Sequence, residues 1–463
     1  MSSGVASASG TTRVAPSPPA SFLLGHARQF KSDPPNFLLN TARDFGPVVR
    51  LKVGPLTYHL INDAALVTEV LQDRAPNFVR DTRSSRNIRL VTGESLLTAE
   101  GETWRRHRRL AQPMFHPKRV GELGGVMARA AAETADAWAR AARNGEMVDL
   151  AVEMSRLTFT AVGRCLFGLD LAARASDVEN ALPVLLSELF YRSQHPAAFP
   201  IWLPFPRHRQ FSEALQRIDD VVDAIIIARR RQSRHGEDLL GLLLDARDDD
   251  GASLTDAELR DQIVTFLLAG HETTASLLTW TLALLAQNPA EREAVEHELD
   301  RGGIEQRGVT TVQQVMPLTR LTAVLQEALR LYPSIWITER RVVADDQLGG
   351  FEIPANTSVI VSPFVMHRSP AHWPEPEVFR PERFLGVEPR TLLHDGYFPF
   401  GAGPHLCIGQ HFAMLEAKLI LATLASRFRV HLVNGALPTA TGGITLRPAG
   451  AVPVRLEPRR GSA

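Results

Sequence analysis

The sequence predicts a mainly α protein with a smaller β-rich part, an α+β fold dominated by helices. Three features point there. From about residue 117 to 300, apolar residues recur at three- and four-residue spacing, the period of helices buried along one face. Within that span one unbroken pattern runs from the segment TDAE (255–258) to about Gln287, a helix of ~32 residues and ~48 Å. Alternating stretches broken by turn residues, the mark of strands, are confined to residues 48–63, 340–365 and a C-terminal segment from Val430 onward.

The elements follow in order. Residues 1–20 are small, polar and proline-containing and read as a disordered tail. PPNFLLNTARDFG is a short helix. VVRLKVGPLTYHLIND alternates and breaks at Gly54-Pro55, so it is a hairpin; AALVTEVLQD is helical again. HPAAFPIWLPFPRHRQ (195–210) carries four prolines and separates two helices. Thr255 and Glu258 form a capping box at the start of the longest helix. TRLTAVLQEALRLY is a helix stopped by Pro333, and QHFAMLEAKLILATLASRF is the last long helix. The C-terminal segment reads as β-hairpins.

Composition narrows the class. Apolar residues make up 44% and charged residues 22%, ordinary for a globular protein. Fifty-one basic residues balance fifty-one acidic ones, which argues against a nucleic-acid or membrane-surface binder. The chain shows no signal-peptide core and no apolar run of ~20 residues. It therefore reads as soluble and cytoplasmic, with no membrane anchor. The length of 463 residues alone suggests two or three domains.

Only two cysteines occur, too few for a disulfide framework or a four-cysteine zinc site. Cys165 lies in the apolar helical run FTAVGRCLFGLDL and reads as a buried, inert thiol. Cys407 ends the constrained loop FPFGAGPHLCIG (398–409). Taken by itself the loop admits three readings: a zinc pair with His411, a free cysteine at a helix start, or a single thiolate on haem iron. The third uses the loop fully. A helix N-terminus just beyond Cys407 favours an anion. Gly401 and Gly403 let the backbone approach a macrocycle and aim N–H groups at the sulfur. Phe400 is placed to shield the sulfur, and His405 to reach a haem propionate.

At this point FGAGPHLCIG (400–409) resembles the cysteine-loop signature of the cytochrome P-450 superfamily, Phe-Gly-x-Gly-x-(Arg/His)-x-Cys-x-Gly. Four further motifs stand in the same order as in that family. AGHETT (269–274) interrupts the apolar longest helix with Gly270, Glu272 and two threonines. A glycine there costs ~1 kcal/mol against alanine. Gly270 removes bulk where a ligand must fit, and a threonine hydroxyl can bond back to a carbonyl one turn earlier. The stretch resembles the family's oxygen-activation motif, which implies that Glu272 and Thr273 relay protons and that Ala269 faces the haem. Glu327 and Arg330 alone would be a surface pair on one helix face. The resemblance makes them a buried structural lock with Arg383. Trp104 and Arg108 stand one turn apart in WRRHRR (104–109), a spacing the family uses to hold a propionate; Arg105, Arg106 and Arg109 are either solvated or a docking patch for a redox partner. Arg340, seven residues after Pro333, matches a further propionate-binding arginine of the family.

The resemblance covers residues 21–463 and implies one large helical haem domain with a smaller β-rich part, overriding the length prior. It implies haem b with Cys407 as the axial thiolate and metal ligand. It implies a monooxygenase that inserts one oxygen atom from O2 into an apolar small molecule such as a fatty acid, terpenoid, steroid or macrolide-like compound. The chain leaves no room for a fused reductase, so electrons are expected from a separate ferredoxin with its reductase or from a flavin reductase. The alternatives are a haem-thiolate peroxygenase or isomerase, and a non-catalytic haem protein. By the same resemblance, pocket walls fall in a 78–95 loop, at 183–210, 334–339 and 442–446, including Phe190, Tyr191, Ile335, Trp336, Ile337 and Leu446. The arginines at 80, 83, 86 and 89 read as a solvated loop, with attraction of a substrate carboxylate as the sharper alternative.

Overall fold

The longest helix runs Asp256–Gln287, 32 residues, and it organises the molecule. Thr255 Oγ1 accepts from the Glu258 N–H at 3.2 Å while the Glu258 carboxylate accepts from the Thr255 N–H at 2.8 Å, the reciprocal box expected from sequence. Most of its residues from Leu259 to Leu285 are buried. A helix apolar on all sides has to be surrounded. Leu150–Phe167, Pro206–Arg230, Thr319–Leu331 and Gln410–Arg427 pack around it. The computed structural model describes residues 13–459 apart from 172–173, 196–197, 232–235, 237, 248–250 and 305–307.

The β-rich part is a five-stranded sheet in the spatial order Val48–Val53, Leu56–Ile61, Ser358–Val361, Thr338–Val342, Phe78–Val79. Gly54, at φ 56°, makes the hairpin turn. The first hairpin pairs Val48 with Ile61 and Val53 with Leu56. Leu56–Ile61 then pairs in parallel with Ser358–Val361, joining segments almost 300 residues apart. At the C-terminus, Ala440–Gly442 and Leu446–Pro448 form the expected hairpin. Phe428–Leu432 pairs across it with Pro453–Pro458, which also takes up Val148–Asp149.

Three boundaries differ from expectation. The tail is shorter than 1–20: residues 13–20 pack. Ala15 is buried, the Arg50 N–H donates to Pro16 O at 2.8 Å, and the buried His26 bonds Pro18 O. Prolines cannot donate, but their carbonyls satisfy the sheet edge. Residues 1–12 lie outside the described residues. The 78–95 loop contains a helix, Arg83–Thr92, whose Thr82 Oγ1 accepts from the Ser85 N–H at 3.1 Å; its polar composition hid the periodicity. The proline-rich break ends sooner than 210, because Pro206 occupies the first turn of the next helix. Among the described residues, no helix is long and apolar enough to cross a membrane.

Candidate active site

Cys407 ends a turn that holds its own backbone. Its N–H donates to Phe400 O at 3.0 Å, and the Leu406 N–H donates to Gly403 O at 3.1 Å. The helix Gln410–Arg427 begins three residues later. The Gly409 N–H favours the thiolate, while the Gly401 N–H donates to Phe398 O at 2.9 Å. Gly403, at φ 67°, is needed for a different contact than expected: a Cβ there would meet Leu71 O at 2.0 Å. So Gly403 seats the loop on the turn around Leu71. Burial raises the thiol, while the Gly409 N–H and the Arg108 guanidinium favour its anion. Cys407 is exposed on a cavity of about 570 Å³ that Trp104, Arg108, Phe115, Leu406 and Ile408 also line, yet the protein around it is dense enough for that burial to act.

A cluster of cations stands beside the loop. The Trp104 and His405 rings meet edge to face at 4.4 Å. Arg108 Nη1 donates to Leu406 O at 3.0 Å. Arg340 is buried on Thr338 Oγ1 at 2.7 Å and Glu339 O at 2.9 Å. Arg80 joins them, donating to Ala99 O and pairing with Glu100. The crowding shows in the acidities. Burial and then Arg80, Arg340 and Arg108 hold His405 down to about 3. Burial and Arg80 bring Arg340 down to about 10. Glu100 is an acid close to the group, and the buried His405 Nδ1 has no hydrogen-bond partner. Two propionates of a haem would neutralise this desolvated surplus and satisfy that ring nitrogen, so the residues fit the cofactor.

Arg80 is a residue that sequence reasoning missed, since it matches no motif spacing. The solvated-loop reading holds for Arg86, which pairs with Asp81 at the surface. It fails for Arg80, for Arg83, which donates to His195 O at 3.0 Å, and for Arg89, which donates to Thr98 O at 2.7 Å. In WRRHRR, Arg105 pairs with Glu102 at the surface and Arg106 is tied to Glu258. Arg105 and Arg109 line the mouth of the cysteine cavity.

On the longest helix Thr273 Oγ1 donates back to Ala269 O at 2.8 Å, the bond expected from sequence. Ala269 is exposed in mid-helix, whereas Thr274 is buried and reaches Gly270 O at 3.3 Å. Gly270 does not clear space for a ligand. A Cβ there would lie 3.1 Å from Val162 Cγ2, so it permits close packing on the helix Leu150–Phe167. Glu272 is tied to another segment. Its carboxylate accepts from Thr445 Oγ1 at 2.7 Å, and burial raises its pKa against the pull of Thr445 and Arg447. Thr445, 173 residues distant in sequence, has no motif that could have revealed it.

Glu327, Arg330 and Arg383 come together. Glu327 and Arg330 are fully buried and bidentate, at 2.7 and 2.8 Å, and Arg383 Nε lies 3.4 Å from Glu327. Arg330 also donates to His367 O at 2.8 Å. The buried His367 Nε2 accepts from the Phe398 N–H at 3.0 Å, at the start of the cysteine loop. Burial and Arg330 keep this imidazole well below its usual range, which suits an acceptor. His367 is a second residue that the sequence did not disclose.

A further cavity of about 150 Å³ contains Phe190, Trp336 and Ile337 of the expected wall. Tyr191 instead stacks between His195 and Arg207, and Ile335 points outward. Leu446 is fully buried, and Trp336 Nε1 donates to Gly443 O at 2.9 Å.

Fold and site together define a haem-thiolate monooxygenase. The sequence pattern of the Cytochrome P450 family matches residues 15–451. The chain is 35% identical over 424 residues to cyclooctatin synthase of Streptomyces melanosporofaciens, covering 89% of both chains. It is 34% identical over 393 residues to cyclooctat-9-en-7-ol 5-monooxygenase of the same organism, covering 84% of each. It is 30% identical over 388 residues to pentalenene oxygenase of Streptomyces avermitilis, covering 83% of this chain and 84% of the relative. This protein belongs to the cytochrome P450 family. It uses haem held by a cysteine thiolate, O2 and electrons from redox partners to place an oxygen atom in an apolar small molecule.

Proposed function

We propose that this enzyme oxygenates a terpenoid, with Cys407 as the thiolate that would hold the haem iron. The observation that carries the substrate class is the wall of the smaller cavity. Ile88, Leu189, Phe190, Trp336, Ile337 and Ile444 offer a broad apolar surface on one side of it. The names of the relatives, which specify cyclooctat-9-en-7-ol and pentalenene, support the same class. Bound haem supplies the oxygen activation. Trp104, Arg80, Arg108, Arg340 and His405 would hold its propionates, Phe400 would shield the sulfur, and Ala269 would face the haem. Thr273 would offer the bound haem the hydroxyl that now bonds Ala269 O and hold there a proton for the reaction. Glu272, kept protonated more readily by its burial, would hold a proton in reserve at the turn at Thr445, next in sequence to Thr273. Glu327, Arg330 and Arg383 brace the cysteine loop. The enzyme works in the cytoplasm with a ferredoxin and its reductase, and the acidic ferredoxin meets the arginine-lined mouth at Arg105 and Arg109.

The test is product analysis with a terpenoid panel, a surrogate ferredoxin–reductase pair and NADPH. Oxygenated product that requires both proteins is the expected result. Product formed from hydrogen peroxide alone, at the same rate, would point to the peroxygenase alternative. A preference for fatty acids across the panel would overturn the substrate class.

A further inference from the structure

The smaller cavity has a second wall, which the apolar surface does not explain. Tyr58, from the strand Leu56–Ile61, Asn87, from the helix Arg83–Thr92, and Glu339, from the strand Thr338–Val342, all line it. Asn87 Nδ2 is buried and has no hydrogen-bond partner. A buried amide left unpaired is costly, so it calls for a partner the protein does not supply. Tyr58 Oη also lacks a hydrogen bond to any described residue, and burial together with Glu339 pushes its phenol pKa up, so it stays protonated as a donor. Glu339 is held in place by Ser84 Oγ at 2.7 Å and Ser358 Oγ at 2.6 Å, one on each carboxyl oxygen. Each oxygen retains capacity for another donor. Ser84 and Asn87 are three residues apart and so share a helix face, which brings the amide to the side of Glu339.

We infer that Tyr58, Asn87 and Glu339 form a subsite for a hydroxyl group, so that the substrate is an already oxygenated terpenoid and not the bare hydrocarbon. This rests on the terpenoid reading and deepens it. A hydroxyl both donates and accepts, and it therefore satisfies Glu339 together with Asn87 or Tyr58, whichever way the amide is turned. Of the polar groups an oxygenated terpenoid carries, a carboxylate is disfavoured, because the field of Glu339 at Tyr58 exceeds the opposing field of Arg83. A site built to bond a hydroxyl also rejects the analogue that lacks one, because its polar groups are then desolvated without partners. In a reaction sequence, an earlier oxygenation, or a cyclisation that ends in water capture, must therefore supply the substrate.

The experiment titrates the haem-loaded enzyme with matched pairs, read by the substrate-induced Soret shift and checked by equilibrium dialysis. The pairs are α-cedrene with cedrol and dehydroabietane with dehydroabietinol. At least one alcohol is expected to bind roughly tenfold tighter than its hydrocarbon. Asn87→Leu and Tyr58→Phe are expected to cut that preference to about threefold or less by weakening the alcohol alone. Unchanged hydrocarbon binding shows that each variant is folded. Parity within each pair in the wild type, or a preference that survives both substitutions, would overturn the hydroxyl subsite and leave the terpenoid reading standing. Failure of every alcohol and hydrocarbon to bind would overturn both.

Discussion

Arg330 is where the brace beneath the cysteine loop can be broken most completely. Its five hydrogen bonds use all five guanidinium donors: Nε and Nη2 to Glu327, Nη1 to His367 O and Pro376 O, and Nη2 again to Val378 O. Arg330→Met leaves Glu327 fully buried, with the Arg380 N–H at 2.8 Å and Arg383 at 3.4 Å as its remaining partners. Removing one partner of a buried ion pair costs about 3–5 kcal/mol. That is a large share of a typical total of about 5–15 kcal/mol. Arg383→Met removes less. Glu327 keeps its three hydrogen bonds, and besides the ion pair only the Arg383 Nη2 bond to Glu375 O is lost, so about 1–2 kcal/mol is expected. Replacing both buried partners, Glu327→Leu with Arg330→Met, removes the stranded charge and should recover part of the single-variant loss. Urea and thermal unfolding, with the yield of haem-loaded protein, measure the series. Because His367 links Arg330 to the Phe398 N–H, Arg330→Met should also lose thiolate-ligated haem first. A haem-replete Arg330→Met protein with a Tm within about 2 °C of wild type would refute the reasoning. So would an Arg383→Met protein damaged as badly as Arg330→Met, or a double variant worse than either single one.

Cys407→Ala should abolish the red-shifted Soret band of the reduced, carbon monoxide-treated protein; Cys165→Ala, at a fully buried thiol, should keep it. Thr273→Ala should bind haem and substrate and consume NADPH, but with much of the flux ending as hydrogen peroxide; Thr274→Ala, buried on Gly270 O, should stay coupled, and equal losses in the two would remove the special role of Thr273. Buried His59 and His271 are held down to about 4 from 6.5, in both cases mainly by burial. The unfolded chain therefore takes up protons first, and the stability these two provide is complete above about pH 6.5 and is lost as pH falls toward 4. Urea midpoints at pH 7, 6 and 5 should fall, and fall less in His271→Gln; identical pH slopes would exclude a contribution from His271.

Several features could be read from the chain because they are local. The capping box at Thr255, the stop at Pro333 and the back-bond of Thr273 each involve residues within a turn or two, so spacing along the chain is spacing in space. The cysteine loop was legible for the same reason: its own backbone bonds, Cys407 to Phe400 and Leu406 to Gly403, span only a few residues. Even there the packing role of a glycine could not be read. What a missing Cβ makes room for depends on the neighbour, and Leu71 and Val162 come from other segments.

The sequence by itself determined the helical class, the long central helix, the cysteine loop and the acid–threonine pair. Only the tertiary structure decided their partners. It brought Arg80 into the cation cluster, gave Glu272 to Thr445, linked Arg330 through His367 to Phe398, and set Asn87 beside a cavity without a partner. These contacts close long loops, 173 residues between Glu272 and Thr445 and about 300 in the parallel pairing of Leu56–Ile61 with Ser358–Val361. No local preference encodes them. They arise when the apolar faces of distant elements are buried together, and the polar groups trapped at those faces must then find partners in whatever segment the packing brings near.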